Sequence, residues 1–240
     1  MYTREVYKII SDYDELKKFI DTVLPNLLPN ETFYVCLFAR NKYCKELTHI
    51  KSDKAQLKRF TTTKEMLIQK LKQLECPIGS YMQKETPVPQ EALAVYISIN
   101  PRHFIKAAHK SLITLSTLIA TGATNYNPHQ NVISNIQKTA GRKVYTDFDF
   151  DFTPEDKELS FDNPIGRLLA FVCKCVNYEA VTCIETRGGC HILVNHELIN
   201  SNYKNTWYNS LKELGPDNVG DTLIPIPGCY QGGFTPKIIN

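Results

Sequence analysis

Apolar positions recur with helical spacing in some stretches of this chain and alternate or run together in others, and the two patterns divide it into elements. Leu16, Phe19, Ile20 and Val23 follow Ser11-Asp12-Tyr13-Asp14, a capping-box-like start, and Pro25 stops them, so 11–24 reads as an amphipathic helix. Residues 32–40 (TFYVCLFAR) form a nearly continuous apolar run of strand length. Thr62-Thr63-Lys64-Glu65 then caps a helix carrying Met66, Leu67, Leu71 and Leu74. Residues 92–99 (ALAVYISI) predict a buried strand that ends at Asn100-Pro101-Arg102, and a long apolar helix is expected over 103–119. Residues 121–130, rich in Thr, Asn and Gly, read as a polar linker, which sets the expected boundary between a unit over 1–125 and a unit over 126–240.

The second unit opens with a short helix near 131–138 and then the most regular pattern in the chain, Val144-Tyr145-Thr146-Asp147-Phe148-Asp149-Phe150-Asp151-Phe152. Strand side chains alternate between faces, so Asp147, Asp149 and Asp151 share one face and Phe148, Phe150 and Phe152 the other. Thr153-Pro154-Glu155-Asp156 predicts a turn, and Asn163-Pro164 predicts an N-cap followed by proline at the first helical position, with a helix running to about Val176. Residues 180–185 and 190–195 read as two strands joined by Thr186-Arg187-Gly188-Gly189; 202–214 reads as a helix and 220–228 as a strand-like run into Pro/Gly turns. The resulting order βαββαβ is compatible with a ferredoxin-like sheet, whose first and third strands are central neighbours.

Composition narrows the class without naming a chemistry. At 240 residues with 42% hydrophobic and 22% charged content, the chain suits one large α/β domain or two closely packed subdomains. No apolar run reaches bilayer length, and Met1-Tyr2-Thr3-Arg4-Glu5 carries an acid where a secretory signal would be apolar, so a cytoplasmic location is expected. Eight cysteines are present, yet Cys36, Cys173, Cys183 and Cys190 lie in apolar segments and are read as reduced thiols. Cys173/Cys175 and Cys183/Cys190 lack zinc-ribbon spacing. The net charge of +3 argues weakly for a polyanionic partner; its distribution says more, with acid gathered near 147–158 and base over 51–72, a run read as a solvated helix face.

Three carboxylates on one strand face repel one another unless cations or hydrogen-bond donors offset them. Hard divalent cations prefer oxygen ligands, and a pair of them can serve phosphoryl or nucleotidyl transfer. In a ferredoxin-like order the strand carrying His191 lies beside the acidic strand, so the imidazole can share the cleft with Asp147 and Asp149. The preceding Thr186-Arg187-Gly188-Gly189 loop offers a guanidinium and glycine-exposed N–H groups to a phosphate, and Asp221 supplies a further carboxylate on a late strand.

Asp147-Phe148-Asp149, then Thr186-Arg187-Gly188-Gly189-Cys190-His191, then Asp221 shortly before Pro227-Gly228, resemble in order and spacing the three motifs of the archaeo-eukaryotic primase superfamily, in the manner of phage and plasmid primase-polymerases. The resemblance covers roughly residues 90–240. It implies an α/β (α+β) primase core, with an RRM- or ferredoxin-like mixed sheet over 126–240 packed against an N-terminal αβ subdomain over 1–125. It further implies template-directed primase or DNA polymerase activity with Mg²⁺ or Mn²⁺ held by Asp147, Asp149 and Asp221. Arg187, Thr186, Gly188 and His191 would hold the incoming nucleoside triphosphate. Single-stranded or primed DNA template and a replicative helicase are the expected partners, in a bacterial cell or phage-infected host. Two alternatives stay open: Asp149/Asp151 for the metal pair, and Asp217 for the third carboxylate. Arg102, Lys106, Lys110, Lys143, Trp207 and Tyr208 are candidate template contacts.

Two other classes compete. A metal-dependent nuclease or rolling-circle initiator would also use carboxylates and histidines, but His191 and His196 are five residues apart and would face opposite sides of one strand. A non-catalytic single-strand-binding module would use aromatic platforms and has no need of three carboxylates beside a phosphate-type loop.

Overall fold

The computed structural model describes residues 5–44, 54–152 and 164–240. The chain is α+β, with six α-helices among the described residues and every strand pairing antiparallel. The helices are α1 (Tyr13–Thr22), α2 (Lys64–Lys72), α3 (Phe104–Ala120), α4 (Pro128–Lys138), α5 (Pro164–Cys175) and α6 (Trp207–Lys212). A first sheet orders β11 (Leu223–Pro225), β5 (Leu93–Ser98), β1 (Glu31–Arg40) and β2 (Lys54–Thr62), with β6 (Arg102–His103) also on β1. The second orders β10 (Asn218–Gly220), β7 (Tyr145–Asp151), β9 (Gly189–Asn195), β8 (Val181–Glu185) and β12 (Lys237–Ile238). A small hairpin pairs β3 (Met82–Gln83) with β4 (Thr86–Pro87).

Local chemistry accounts for most of these elements. Asp12 caps α1 by accepting from the Glu15 N–H at 3.0 Å. β1 is buried along nearly its whole length because it lies between β5 and β2 with both faces covered. β7 is central to the second sheet, and its first and third strand neighbours meet as the βαββαβ order implies: Asp149 pairs with His191 and Asp147 with Leu193. Phe148, Phe150 and Ile192 on one face pack with Ile165, Val172 and Leu211 of α5 and α6 in one core. On the other face, Tyr145, Ile184 and Leu193 join the larger core built on β1, β5, α1 and α2.

Four expectations change. The basic run over 51–72 is no single helix face: β2 occupies Lys54–Thr62 and α2 follows it. The linker over 121–130 ends early, because Asn127 caps α4 and Pro128 takes its first turn. The helix over 202–214 shortens to Trp207–Lys212, after a run of turns. The sheet expected to be mixed is antiparallel throughout. The predicted turn at Thr153–Asp156 and the Asn163 cap lie outside the described residues.

The strand-like run over 220–228 does more than expected. It splits at Asp221-Thr222, so that β10 pairs with β7 in the second sheet and β11 with β5 in the first. The sheets are therefore not divided at residue 125: a strand from the last twenty residues completes the first one. Asn100 reinforces the same joint, since its Oδ1 accepts from the N–H groups of Val144 and Tyr145 at 2.8 Å each and its Nδ2 donates to the Tyr145 carbonyl at 2.9 Å.

Candidate functional site

Where the two sheets separate, a cleft of about 600 Å³ opens between them. Asp149, Asp151, His191, Thr186 and Gly188 line it from the second sheet, and Phe38, Arg40, Tyr96 and Pro225 from the first. Arg102, Asp221 and Thr222 line it at the joint. The alternation of β7 thus has the predicted consequence, with aromatics in a core and carboxylates toward the opposed sheet.

The three carboxylates on this face differ in surroundings. Asp147 is 0% exposed. Both of its oxygens lie 3.0 Å from His191 Nδ1, and the Thr222 hydroxyl donates to Oδ2. A carboxylate can only accept, so Nδ1 carries the proton and His191 Nε2 turns toward Asp149 Oδ1 at 3.6 Å. Burial alone would lower the imidazole pKa, but the Asp147 carboxylate, hydrogen-bonded to it, and then Asp149 and Asp151 raise it above the usual 6.5. Asp149 is partly exposed to the cleft and meets Asn218 Nδ2 at 3.4 Å. Burial first, then Asp147 and Asp151, push its pKa above the usual 3.8, against the opposing pull of His191. Asp151 stands at the rim, where its backbone N–H donates to Asp217 Oδ2 at 2.8 Å.

Asp217 therefore caps the end of β7, while Asp221 sits at the joint. Arg102 meets Asp221 at 2.5 and 3.2 Å and Asn100 Nδ2 donates to it at 3.1 Å. Arg102 is buried as the partner of Asp221, which removes it from the freely solvated template contacts. Trp207 is likewise a core residue, edge-on to Phe148 and His196, whereas Tyr208, Lys106, Lys110 and Lys143 are exposed.

The Thr186-to-Gly189 loop is a tight hairpin rather than an open cradle. The Thr186 N–H donates to the Gly189 carbonyl at 2.9 Å, and the Gly189 N–H donates to Thr186 Oγ1 at 3.2 Å. Its glycines answer a steric need: a Cβ on Gly189 would lie 1.8 Å from the Phe150 carbonyl oxygen, and one on Gly188 2.7 Å from Asp151 Oδ1. Arg187 does not line the cleft. It borders an adjoining depression of about 240 Å³ with Phe152, Ile165 and Phe234, and its guanidinium stacks over Tyr43 at 4.6 Å. Among the described residues, the cations that line the cleft are Arg40, Lys42, Lys54, Arg102 and Lys138.

Among the described residues no three His, Cys, Asp or Glu side chains are placed to cage a metal ion. The crowded carboxylates of Asp147, Asp149 and Asp151 nevertheless form a negative field that a cation would relieve. All eight cysteines are free, as expected from their apolar settings. Among the described residues no helix is long and apolar enough to cross a membrane.

Compared with known proteins, the chain matches no family model, no curated protein and no solved structure.

Sequence reasoning did not single out Asn100, Thr222, Arg40 or Tyr96. The first two could have been suspected: Asn100 is polar at the end of an apolar strand and just before proline, and Thr222 adjoins Asp221. Arg40 and Tyr96 sit inside apolar runs that read only as core.

Proposed function

We propose that this chain is a metal-dependent nucleotidyltransferase, a template-directed primase or DNA polymerase built on an RRM-like sheet of archaeo-eukaryotic primase type. The observation that carries the reading is the opposition, across one cleft, of a carboxylate strand face bearing an imidazole and a wall of Lys and Arg. Among the described lining residues, Arg40, Lys42, Lys54, Arg102 and Lys138 are cationic and Asp149, Asp151 and Asp221 are carboxylates, a combination that suits a polyphosphate carried with a divalent ion. The cleft volume of about 600 Å³ falls within the range for small-molecule sites.

In this reading Asp149, which faces the cleft, is a ligand for Mg²⁺ or Mn²⁺, with Asp147 two residues along the same strand face and Asp221 beyond Gly220. A bound divalent ion would supply Lewis-acid activation of a hydroxyl nucleophile and neutralise polyphosphate charge. The protein positions the reactants. Asp147 and Thr222 hold the acid face in register with His191, whose protonated imidazole donates toward phosphate oxygen. The cationic wall binds the triphosphate, and the joint at Asn100 keeps the two walls at a fixed separation. Residues 92–146 contain no Asp or Glu, so this stretch, with Lys106 and Lys110 on α3 and Lys143 between α4 and β7, favours a nucleic-acid backbone. A replicative helicase is the partner such synthesis would call for.

The test is incubation with primed and unprimed template, nucleotides and Mg²⁺ or Mn²⁺, resolved on a gel. Primer extension or de novo product is expected. Cleavage of the template without synthesis would replace this reading with that of a metal-dependent nuclease, and binding without either reaction with that of a single-strand-binding module.

A further inference from the structure

We infer that the preorganised triphosphate-binding cation of the cleft is Arg40, on the first sheet, and that Arg187 is a joint between loops. The inference rests on the nucleotidyl-transfer reading and adds to it where the triphosphate lies, against the wall formed by β1 and β5.

Arg40 ends β1, is only 6% exposed and still lines the cleft. Its Nη1 donates to the Tyr96 hydroxyl at 2.5 Å, and its guanidinium lies 5.4 Å from the Tyr43 ring centroid and 5.6 Å from that of Tyr96. Two rings and a hydroxyl thus fix the plane of the guanidinium. Tyr96 orients that charge without cancelling it, because burial, followed by Tyr43, pushes its hydroxyl pKa well above the ordinary value and keeps it a neutral phenol. A planar, oriented cation of this kind matches phosphate oxygens in a way a mobile surface lysine does not.

Arg187 is held for a different purpose. Its backbone N–H donates to Gln231 Oε1 at 3.0 Å, and Gln231 Nε2 donates to the Tyr43 hydroxyl at 2.9 Å. Gly232, at φ +57, lies so close that a Cβ there would approach the Tyr43 ring to 2.5 Å and Arg187 Nη1 to 2.7 Å. Arg187 is therefore packed beside Tyr43 and Gly232, tying the hairpin of the second sheet and the C-terminal loop to the first sheet.

The test titrates the whole chain with a deoxynucleoside triphosphate and, separately, with inorganic tripolyphosphate, each with Mg²⁺, alongside thermal unfolding and single-stranded DNA binding. Arg40→Lys should weaken binding of both probes by roughly ten- to a hundredfold while the protein stays folded, because it loses a charge-assisted, planar contact. Tyr96→Phe should raise the nucleotide KM several-fold with kcat kept, since it removes one of the contacts that orient the guanidinium and leaves the charge in place. Arg187→Lys should lower the melting temperature and cost less nucleotide affinity than Arg40→Lys. Wild-type affinity in folded Arg40→Lys, or a larger loss in folded Arg187→Lys, would overturn the inference. Should Arg40→Lys not fold, an unchanged KM in Tyr96→Phe would overturn it. A wild-type chain that binds the triphosphate yet extends no primer would remove the polymerase reading and leave the inference to the binding ratios; failure to bind either probe would overturn both.

Discussion

Asn100 offers a test of how the two sheets are held together. It is nearly inaccessible, accepts from two backbone N–H groups at the entrance to β7, and donates to the Tyr145 carbonyl and to Asp221. Asn100→Ala strands the Val144 and Tyr145 N–H groups in a buried place. An unsatisfied buried backbone group costs about 1–3 kcal/mol, so the pair should cost about 2–6 kcal/mol. For a chain of this size that corresponds to a fall of roughly 10 °C in Tm. Asn100→Asp is the informative companion. It keeps both acceptor contacts but sets a carboxylate against the Tyr145 carbonyl and Asp221, so it binds a proton more readily folded than unfolded, and stability should recover as pH falls. The assay is urea unfolding followed by the fluorescence of Trp207, the single tryptophan, at pH 5 and pH 8. A loss below about 1 kcal/mol in Asn100→Ala, or an Asn100→Asp variant with no gain at the lower pH, would refute the idea that this side chain holds the joint.

Further expectations concern the acid face. Replacing Asp147 and Asp149 together with Asn should abolish primer extension while leaving metal-free thermal stability equal or higher, since like charges are relieved; retained extension would sink the metal assignment. Asp151→Asn, at the rim, should reduce turnover less than Asp147→Asn, and the reverse order of kcat values would shift the metal pair along the strand. Because His191 and Asp149 both titrate above their ordinary values, these two groups hold their protons more tightly in the folded chain than in the unfolded one, and their share of the stability is lost as pH rises. Metal-free Tm should therefore fall as pH rises above about 4 and again above about 6.5, and the upper part of that slope should vanish in His191→Gln. His191→Ala should weaken nucleotide dependence on the order of tenfold or more with template affinity unchanged; a uniform fall in every activity together with Tm would show a purely structural histidine.

Much of this molecule is written in local sequence. The alternation over 144–152 dictates which residues of β7 share a face, since that follows from strand geometry alone. The Asp12 cap, the aromatic and branched residues of β1 and the hairpin around Gly188 are likewise short-range consequences of residue type. Even the neighbourhood of Asp149 and His191 follows once the βαββαβ order is given, because the first and third strands meet. What lies opposite the carboxylates does not. Arg40 and Tyr96 belong to apolar runs whose burial hides their polar ends, and only the packing of one sheet against the other turns them into a cleft wall. The split of 218–225 between two sheets has no local signal either, since each half is three residues long and gains its hydrogen bonds only from distant partners. Arg187 illustrates the limit most clearly. Its place in a glycine-bearing loop suggests a phosphate ligand; that the loop packs against Phe150 and Asp151, and that the guanidinium lies over the Tyr43 ring beside Gly232, is visible only in the folded chain.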